Sequence, residues 1–226
     1  GRVTIWTTTQ GTFDVRDGTA SIIGIPESML KVIAMECGGG FGGKGPNTNP
    51  LNPMSAVLSK KSGRPVKMVL SRKETFESTC PASAAHMRIK MGADKNGRIT
   101  AVQFYLAYQA GAFPGSPVAA GVQNGLGSYK IENFQVDGYD IVTNTQKMQS
   151  YRAPGQPPAT FAVEGVIDEL AEKLGIDPLE FRLRNAVREG DRMPSGVQYP
   201  RIACEELEEA MKAHPHYSAP LDGPNR

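Results

Sequence analysis

Residues 38–44 read Gly-Gly-Gly-Phe-Gly-Gly-Lys, with five glycines in the six positions 38–43. A backbone stripped of side chains can approach a ligand or another chain closely, and its amide N–H groups can converge on an anion. A nucleotide phosphate is one such ligand. Gly38, Gly43 and Lys44 open the pattern G-x-x-x-x-G-K-[ST], but Gly45 stands where the Mg²⁺-holding hydroxyl belongs. A dinucleotide is another, because Gly38, Gly40 and Gly43 satisfy G-x-G-x-x-G. That fingerprint needs an acid about 20 residues on to hold a ribose hydroxyl. No Asp or Glu occurs between Glu36 and Glu74, and the stretch Gly45-Pro46-Asn47-Thr48-Asn49-Pro50 cannot open a helix immediately. A purely structural glycine turn is the third reading of the loop.

Other chemistry-bearing residues are sparse. The three cysteines, Cys37, Cys80 and Cys204, form no C-x-x-C and no zinc or iron–sulfur spacing. Cys37 closes an apolar, β-prone run and reads as core filler. His214 and His216 flank Pro215 in a polar tail and read as solvated.

The elements that must position the loop follow from periodicity. Arg2 to Thr8 alternates and is β-branched, which predicts a strand with Gln10 just beyond its end. Phe13 to Ile23 predicts a weak helix stopped at Gly24, and Met29 to Cys37 a strand leading into the glycine loop. A helix led by 52–59, carrying Met54, Ala56, Val57 and Leu58, closes at Gly63. Val66 to Ser71 predicts a buried strand. His86 to Met91 and Ile99 to Tyr108, joined by Asp94-Lys95-Asn96-Gly97, predict an antiparallel hairpin. Residues 111–127 are glycine-rich and ambiguous, and Phe134 to Thr145 predicts a further strand. Pro158 to Leu174 carries Val163, Val166, Ile167, Leu170 and Leu174 on one face and stops at Gly175. Asp177, Pro178 and Glu180 then form a capping-box arrangement for another helix. A short helix over 204–212 precedes a tail, 219–226, that reads as a linker. Strands and helices around an antiparallel centre make the fold class α+β, with mixed sheets and flanking helices.

Bulk properties exclude some classes. The chain has 226 residues, 39% apolar, with a net charge of +2. Such a balance gives no reason to propose nucleic acid or membrane lipid as partner, and no apolar run is long enough to span a bilayer.

Three separated motifs carry a resemblance that runs along essentially the whole chain. They are Trp6-Thr7-Thr8-Thr9-Gln10, the glycine loop centred on Phe41, and Tyr151-Arg152-Ala153-Pro154-Gly155. Together with Gly92–Ile99 and Asp177–Asn185, this order resembles the molybdenum-binding large subunit of the molybdenum hydroxylases, the xanthine dehydrogenase, aldehyde oxidoreductase and carbon monoxide dehydrogenase family. The resemblance implies that the chain, over 1–217 with a β-rich segment near 64–145 and a linker at 218–226, is the first half of the molybdopterin-binding region. It implies a molybdenum–molybdopterin cofactor, in plain or cytosine dinucleotide form. Iron–sulfur clusters and FAD would belong to other subunits or domains.

The same resemblance assigns cofactor contacts to Gln10, Gly40, Phe41, Gly42 and Arg152. Gln10, Phe41 and Arg152 would surround the metal without ligating it. It implies a molybdenum-dependent oxidoreductase that hydroxylates an aldehyde or N-heteroaromatic carbon with water-derived oxygen. Its partners would be the second half of the molybdenum-binding subunit, iron–sulfur and FAD subunits and a small-molecule substrate, in the cytoplasm or alternatively the periplasm. The family's base glutamate sits in a Gly-x-Gly-Glu motif that does not occur here. No catalytic residue is therefore expected in this chain, and alone it should be inactive. Gly45, Ala120 and Pro154 stand where purine-oxidising members carry an acid, an arginine and a stacking phenylalanine. The other reading is a stand-alone half-domain that only binds partner subunits or serves as a structural module.

Overall fold

The computed structural model describes residues 1–45 and 50–220. The linker expected at 218–226 falls largely outside the described residues, as do Pro46 to Asn49 of the stretch after the glycine loop. The chain folds as two compact, interleaved units. The first takes residues 1–84, 108–117 and 140–154, and the second takes 85–107, 118–139 and the chain from 155 onward.

The first unit begins with a β-α-β element. Strand β1 (Val3–Thr7) pairs in parallel with β2 (Leu30–Ala34), Ile5 opposite Val32, and helix α1 (Thr12–Ile23) connects them. Gly24 ends α1 in the left-handed region at φ 69°, donating its N–H to the Ala20 carbonyl. Helix α2 (Leu51–Ser62) packs on α1 and ends in the same way at Gly63, φ 66°. Ile5, Leu30 and Ala56 form the core here, with Val3, Ile23, Ile25 and Val32 against them. Helix α3 (Arg72–Ser78) starts with a complete capping box: Glu74 N–H donates to Ser71 Oγ at 3.2 Å and Ser71 N–H to Glu74 Oε2 at 2.7 Å.

Two expectations are corrected here. The strand expected to reach Cys37 stops at Ala34, and Cys37 is exposed rather than core filler. Its thiol instead accepts from Lys44 Nζ at 3.7 Å. The expected buried strand at Val66 to Ser71 forms no strand, and Ser71 caps α3. Alternation made that segment β-prone, but the first unit supplies no ladder partner for it among the described residues.

The second unit is built on a sheet of order β3-β4-β5, with β3 (Ala85–Ala93), β4 (Ile99–Gly111) and β5 (Phe134–Val142). Strands β4 and β5 each run on into residues of the first unit. Asp94 makes the β3–β4 turn by accepting from Asn96 N–H at 2.8 Å and Arg98 N–H at 2.9 Å, with Gly97 at φ 78°. Val102, Phe104 and Leu106 alternate inward, and Gln103 and Tyr105 face out. Helix α4 (Val118–Asn124) occupies part of the ambiguous glycine-rich stretch. Helix α5 (Gln156–Leu174) buries Ala159, Val163, Ile167 and Ala171 at four-residue spacing and ends at Gly175.

Helix α6 (Pro178–Asn185) is capped by Asp177, which accepts from the Leu179 and Glu180 N–H groups at 3.0 Å each. Glu180 turns away from the cap to accept from Arg184 and Lys212. Asn185 is buried and fully used: Oδ1 accepts from Ile99 N–H at 2.9 Å, and Nδ2 donates to the Gly97 and Phe181 carbonyls at 2.8 Å each. Arg184 adds a bond to the Asn96 carbonyl at 2.9 Å. The Gly92–Ile99 and Asp177–Asn185 motifs are thus one structural joint. Helix α7 (Cys204–Ala213) follows, held through Lys212 to Glu180 and through Glu205 to Arg188.

Candidate functional site

All five expected contact residues lie in the first unit, on two loops stitched together. Gln10 follows β1, and its main-chain N–H donates to the Lys44 carbonyl at 3.0 Å. Thr9 Oγ1 donates to that same carbonyl at 3.3 Å and accepts from Gly11 N–H at 3.1 Å. The Gln10 side chain then reaches under the loop, where Oε1 accepts from Gly42 N–H at 3.0 Å and Lys44 N–H at 3.3 Å. A Cβ at Gly40 would lie 2.6 Å from Gln10 Oε1, so the missing side chain makes room for the glutamine. With Oε1 engaged, the donor Nε2 is what Gln10 presents, and it has no acceptor among the described residues.

The second loop comes from 146–154. Gln146 Nε2 donates to the Phe76 carbonyl at 2.7 Å, Met148 N–H to Ala110 at 2.9 Å and Gln149 N–H to Pro81 at 3.1 Å. Lys147 Nζ ties the 113–115 carbonyls at 3.1, 2.8 and 2.9 Å. The turn at Gly115 and Ser116 is fixed from the other side by Asp140, which accepts both N–H groups at 2.6 and 2.8 Å. Burial works against the Asp140 charge, but the Ser116 side chain, the Gly115 and Ser116 N–H groups and the nearby Lys147 cation outweigh it and hold its carboxyl below the usual range.

These anchors deliver Ser150 and Arg152 to the glycine loop. Gly42 has φ 96°, and a Cβ there would overlap the Ser150 main chain, lying 2.7 Å from its carbonyl carbon. Arg152 N–H donates to the Phe41 carbonyl at 2.9 Å, and its guanidinium carbon lies 5.6 Å from the Phe41 ring centre. Phe41 and Arg152 are both exposed. Arg152 makes no ion pair among the described residues.

Two participants escape sequence reading. Ser150 precedes the Tyr151–Gly155 motif and contributes main chain, which no side-chain pattern announces. Lys44 looks like a phosphate ligand by its side chain, yet its backbone N–H and C=O hold Gln10. Burial pushes the Cys80 thiol up, which makes it a poor nucleophile. No group of three or more His, Cys, Asp or Glu among the described residues forms a metal site. No helix among them is long and apolar enough to cross a membrane.

A joined pair of loops on an α+β frame offers an amide donor, a cation and side-chain-free backbone, groups whose chemistry suits a polar, anionic ligand. Comparison with known proteins gives the class. The family described as "Molybdopterin cofactor-binding domain" matches residues 1–186, and the chain belongs to it. It is 34% identical over 197 residues to a probable xanthine dehydrogenase subunit of Bacillus subtilis (strain 168), covering 86% of this chain and 26% of that protein. It is 33% identical over 199 residues to the nicotinate dehydrogenase large molybdopterin subunit of Eubacterium barkeri, covering 87% and 46%. Among solved structures, the aldehyde oxidoreductase of Desulfovibrio gigas matches with a TM-score of 0.86 and 28% identity, over 94% of this chain and 24% of that one. The chain therefore spans only about a quarter to under half the length of these relatives. They are molybdenum-binding oxidoreductase subunits, and the group to weigh against the site is a molybdenum cofactor.

Proposed function

We propose that this chain holds one side of the molybdopterin cofactor within a molybdenum hydroxylase, through the loop pair of its first unit. The observation that carries the reading is the Gln10 amide. Its oxygen is consumed by the Gly42 and Lys44 N–H groups, so its NH₂ is left to face an acceptor. The residues fit the group. Gln10 would donate to an oxo or phosphate oxygen without adding charge. Arg152 would set a cation beside an anionic pterin phosphate. Gly40, Phe41 and Gly42 would meet the cofactor with backbone, and Phe41 also positions the guanidinium. When bound, the cofactor would supply two-electron redox chemistry and an activated, water-derived oxygen for transfer to carbon.

No residue of this chain is proposed to take a proton, since Gly-x-Gly-Glu is absent from it. That role falls to the second half of the molybdenum-binding subunit, and electron transfer to iron–sulfur and FAD subunits. A cytosine dinucleotide form of the cofactor and a cytoplasmic setting belong to the same reading. For substrate we propose an aldehyde or N-heteroaromatic compound. Gly45, Ala120 and Pro154 provide no acid, guanidinium or aromatic plane for a purine.

The test is metal and pterin analysis of the complete subunit, with turnover of benzaldehyde, nicotinate and xanthine under one artificial acceptor. Molybdenum bound, with xanthine poorer than the better of the other two by at least about tenfold in kcat/KM, is expected. That ratio equals about 1.4 kcal/mol of transition-state binding. A subunit without molybdenum would leave the chain a structural module, and xanthine as best substrate would overturn the substrate assignment.

A further inference from the structure

We propose that residues 65–70 form an acceptor edge for an added β-strand, supplied by the part of the molybdenum subunit that this chain does not include. The proposal rests on the chain being part of a larger subunit, and not on the cofactor contacts.

The segment Pro65-Val66-Lys67-Met68-Val69-Leu70 is β-prone. Both of its ends are pinned. Gly63 terminates α2 in the left-handed conformation, and the Ser71–Glu74 capping box starts α3. Between these points the chain forms neither helix nor turn, and burial alternates as in a strand. Val66, Met68 and Leu70 are half-buried, and Lys67 and Val69 are exposed. Val69 is 76% exposed, more than any large apolar residue among those described except Phe161.

A strand-like segment normally spends its N–H and C=O groups on a ladder. Among the described residues, no main-chain hydrogen bond involves positions 65–70. Among the described residues, the strands of the first unit are paired. β1 and β2 pair with each other, and the ends of β4 and β5 are bridged through Gly111, Thr143 and Thr145. An unpaired, pinned edge of this kind is a template for strand addition.

Charge narrows the occupant. Lys60, Lys61, Arg64, Lys67, Arg72 and Lys73 flank the edge in sequence, the nearest acid before it is Glu36, and of the first acids after it Glu74 caps α3 and Glu77 pairs with Lys73. A strand that places an apolar side chain against Val69 and acids towards Lys67 and the flanks complements it. Such a strand has an evident source. The relatives extend well beyond what this chain covers, by about half to three quarters of their own length. Lys67 in mid-edge also disfavours a second copy, because two such edges would oppose like charges.

Hydrogen–deuterium exchange tests this without altering a residue. In the isolated chain the amides of 66–70 should exchange near the unprotected rate. In the complete subunit they should slow by at least roughly 100-fold. Unchanged exchange in the complete subunit overturns the proposal. So does protection of the isolated chain that grows with its concentration, which would assign the edge to a second copy. The readout is independent of metal. A subunit that protects 66–70 but lacks molybdenum fails the cofactor reading alone, and one that binds molybdenum but leaves 66–70 exchanging fails this proposal alone. Val69→Asp should leave the thermal midpoint of the isolated chain unchanged and lower that of the complete subunit by roughly 2–4 °C or more. Equal shifts in both would also sink it.

Discussion

The Arg152 N–H donates to the Phe41 carbonyl at 2.9 Å while the Arg152 guanidinium lies over the Phe41 ring, so one residue grips the other by backbone and side chain together. Both have positive φ, 51° at Phe41 and 20° at Arg152, and Ala153 follows at 55°. These are the non-glycine residues with positive φ among those described. Each such position costs on the order of 1–3 kcal/mol and persists where its surroundings over-determine it. Here the surroundings are the Gly42–Ser150 contact and the anchored 146–150 approach. Strain gathered at one point of the first unit, on two of the three motifs that carry the resemblance, agrees with a pre-shaped binding surface.

Ala153 provides a direct measure of that strain. Ala153→Gly should stabilise the isolated chain slightly, by less than about 1 kcal/mol, since relief in the left-handed region is partly offset by a more flexible unfolded chain. Ala153→Val should cost roughly 1–3 kcal/mol, because a β-branched residue is poorly tolerated there. Urea melts check the pair, and the opposite order of stabilities would show that the 152–154 backbone is not held at positive φ.

Gly42 and Lys44 separate backbone from charge. A side chain at Gly42 meets the Ser150 main chain and must also adopt φ 96°. Gly42→Val should therefore pry the two loops apart, costing about 1–3 kcal/mol in the isolated chain and most of the bound pterin in the complete subunit. Lys44→Gln removes an ammonium whose one side-chain contact among the described residues is Cys37 Sγ, and leaves the main-chain bonds to Gln10 in place. It should retain pterin. Fluorescence of the oxidised pterin reports both. Loss in the lysine variant with retention in the valine variant would reopen the phosphate-loop reading.

Asp177 gives a pH signature away from the site. A hydrogen bond from Tyr217, then those from the Glu180 and Leu179 N–H groups, hold its carboxyl below the ordinary value near 3.8. Because the folded value is the lower one, the contribution to stability is complete above pH about 4 and disappears as pH falls through the folded value. Asp177→Ala should cost about 1 kcal/mol at pH 7, in the range of a lost N-cap. The gap to wild type should close in acid below the folded value. A gap that stays constant down to acid unfolding would mean that the carboxylate does not cap α6.

How far these features could be read from sequence depends on how local their causes are. Helices α5 and α6 and the β3–β4 turn were legible because Gly175, Asp177 and Asp94-Lys95-Asn96-Gly97 act on backbone within a few residues. Ser71 and Glu74 carry the capping-box signature too, but the apolar alternation just before them argued for a strand running through Ser71. Whether 66–70 pairs, and whether Cys37 is covered, depend on distant chain, and local pattern is silent on both. In the site, the glycine run announced close backbone approach. It did not announce that Ser150 is what Gly42 approaches, or that the Gln10 oxygen is spent on the loop's own amides.

That last arrangement splits the two halves of one side chain into separate jobs. Gln10 Oε1 holds the loop, and Nε2 is the group proposed to meet the cofactor. Gln10→Ala removes both and leaves a void beside Gly40, so it should lower stability as well as turnover. Gln10→Glu keeps an acceptor for the Gly42 and Lys44 N–H groups and removes the donor. It should leave the thermal midpoint close to wild type, while the complete enzyme loses rate by roughly 5- to 150-fold, the equivalent of about 1–3 kcal/mol for a hydrogen bond to a charged partner. Rates are to be normalised to molybdenum content, so that cofactor loss is not counted as lost turnover. A glutamate variant with full molybdenum and undiminished rate would confine Gln10 to holding the loop and remove its amide from the site. A variant that loses stability as severely as the alanine would show that the extra charge disrupts the loop before any chemistry can be read.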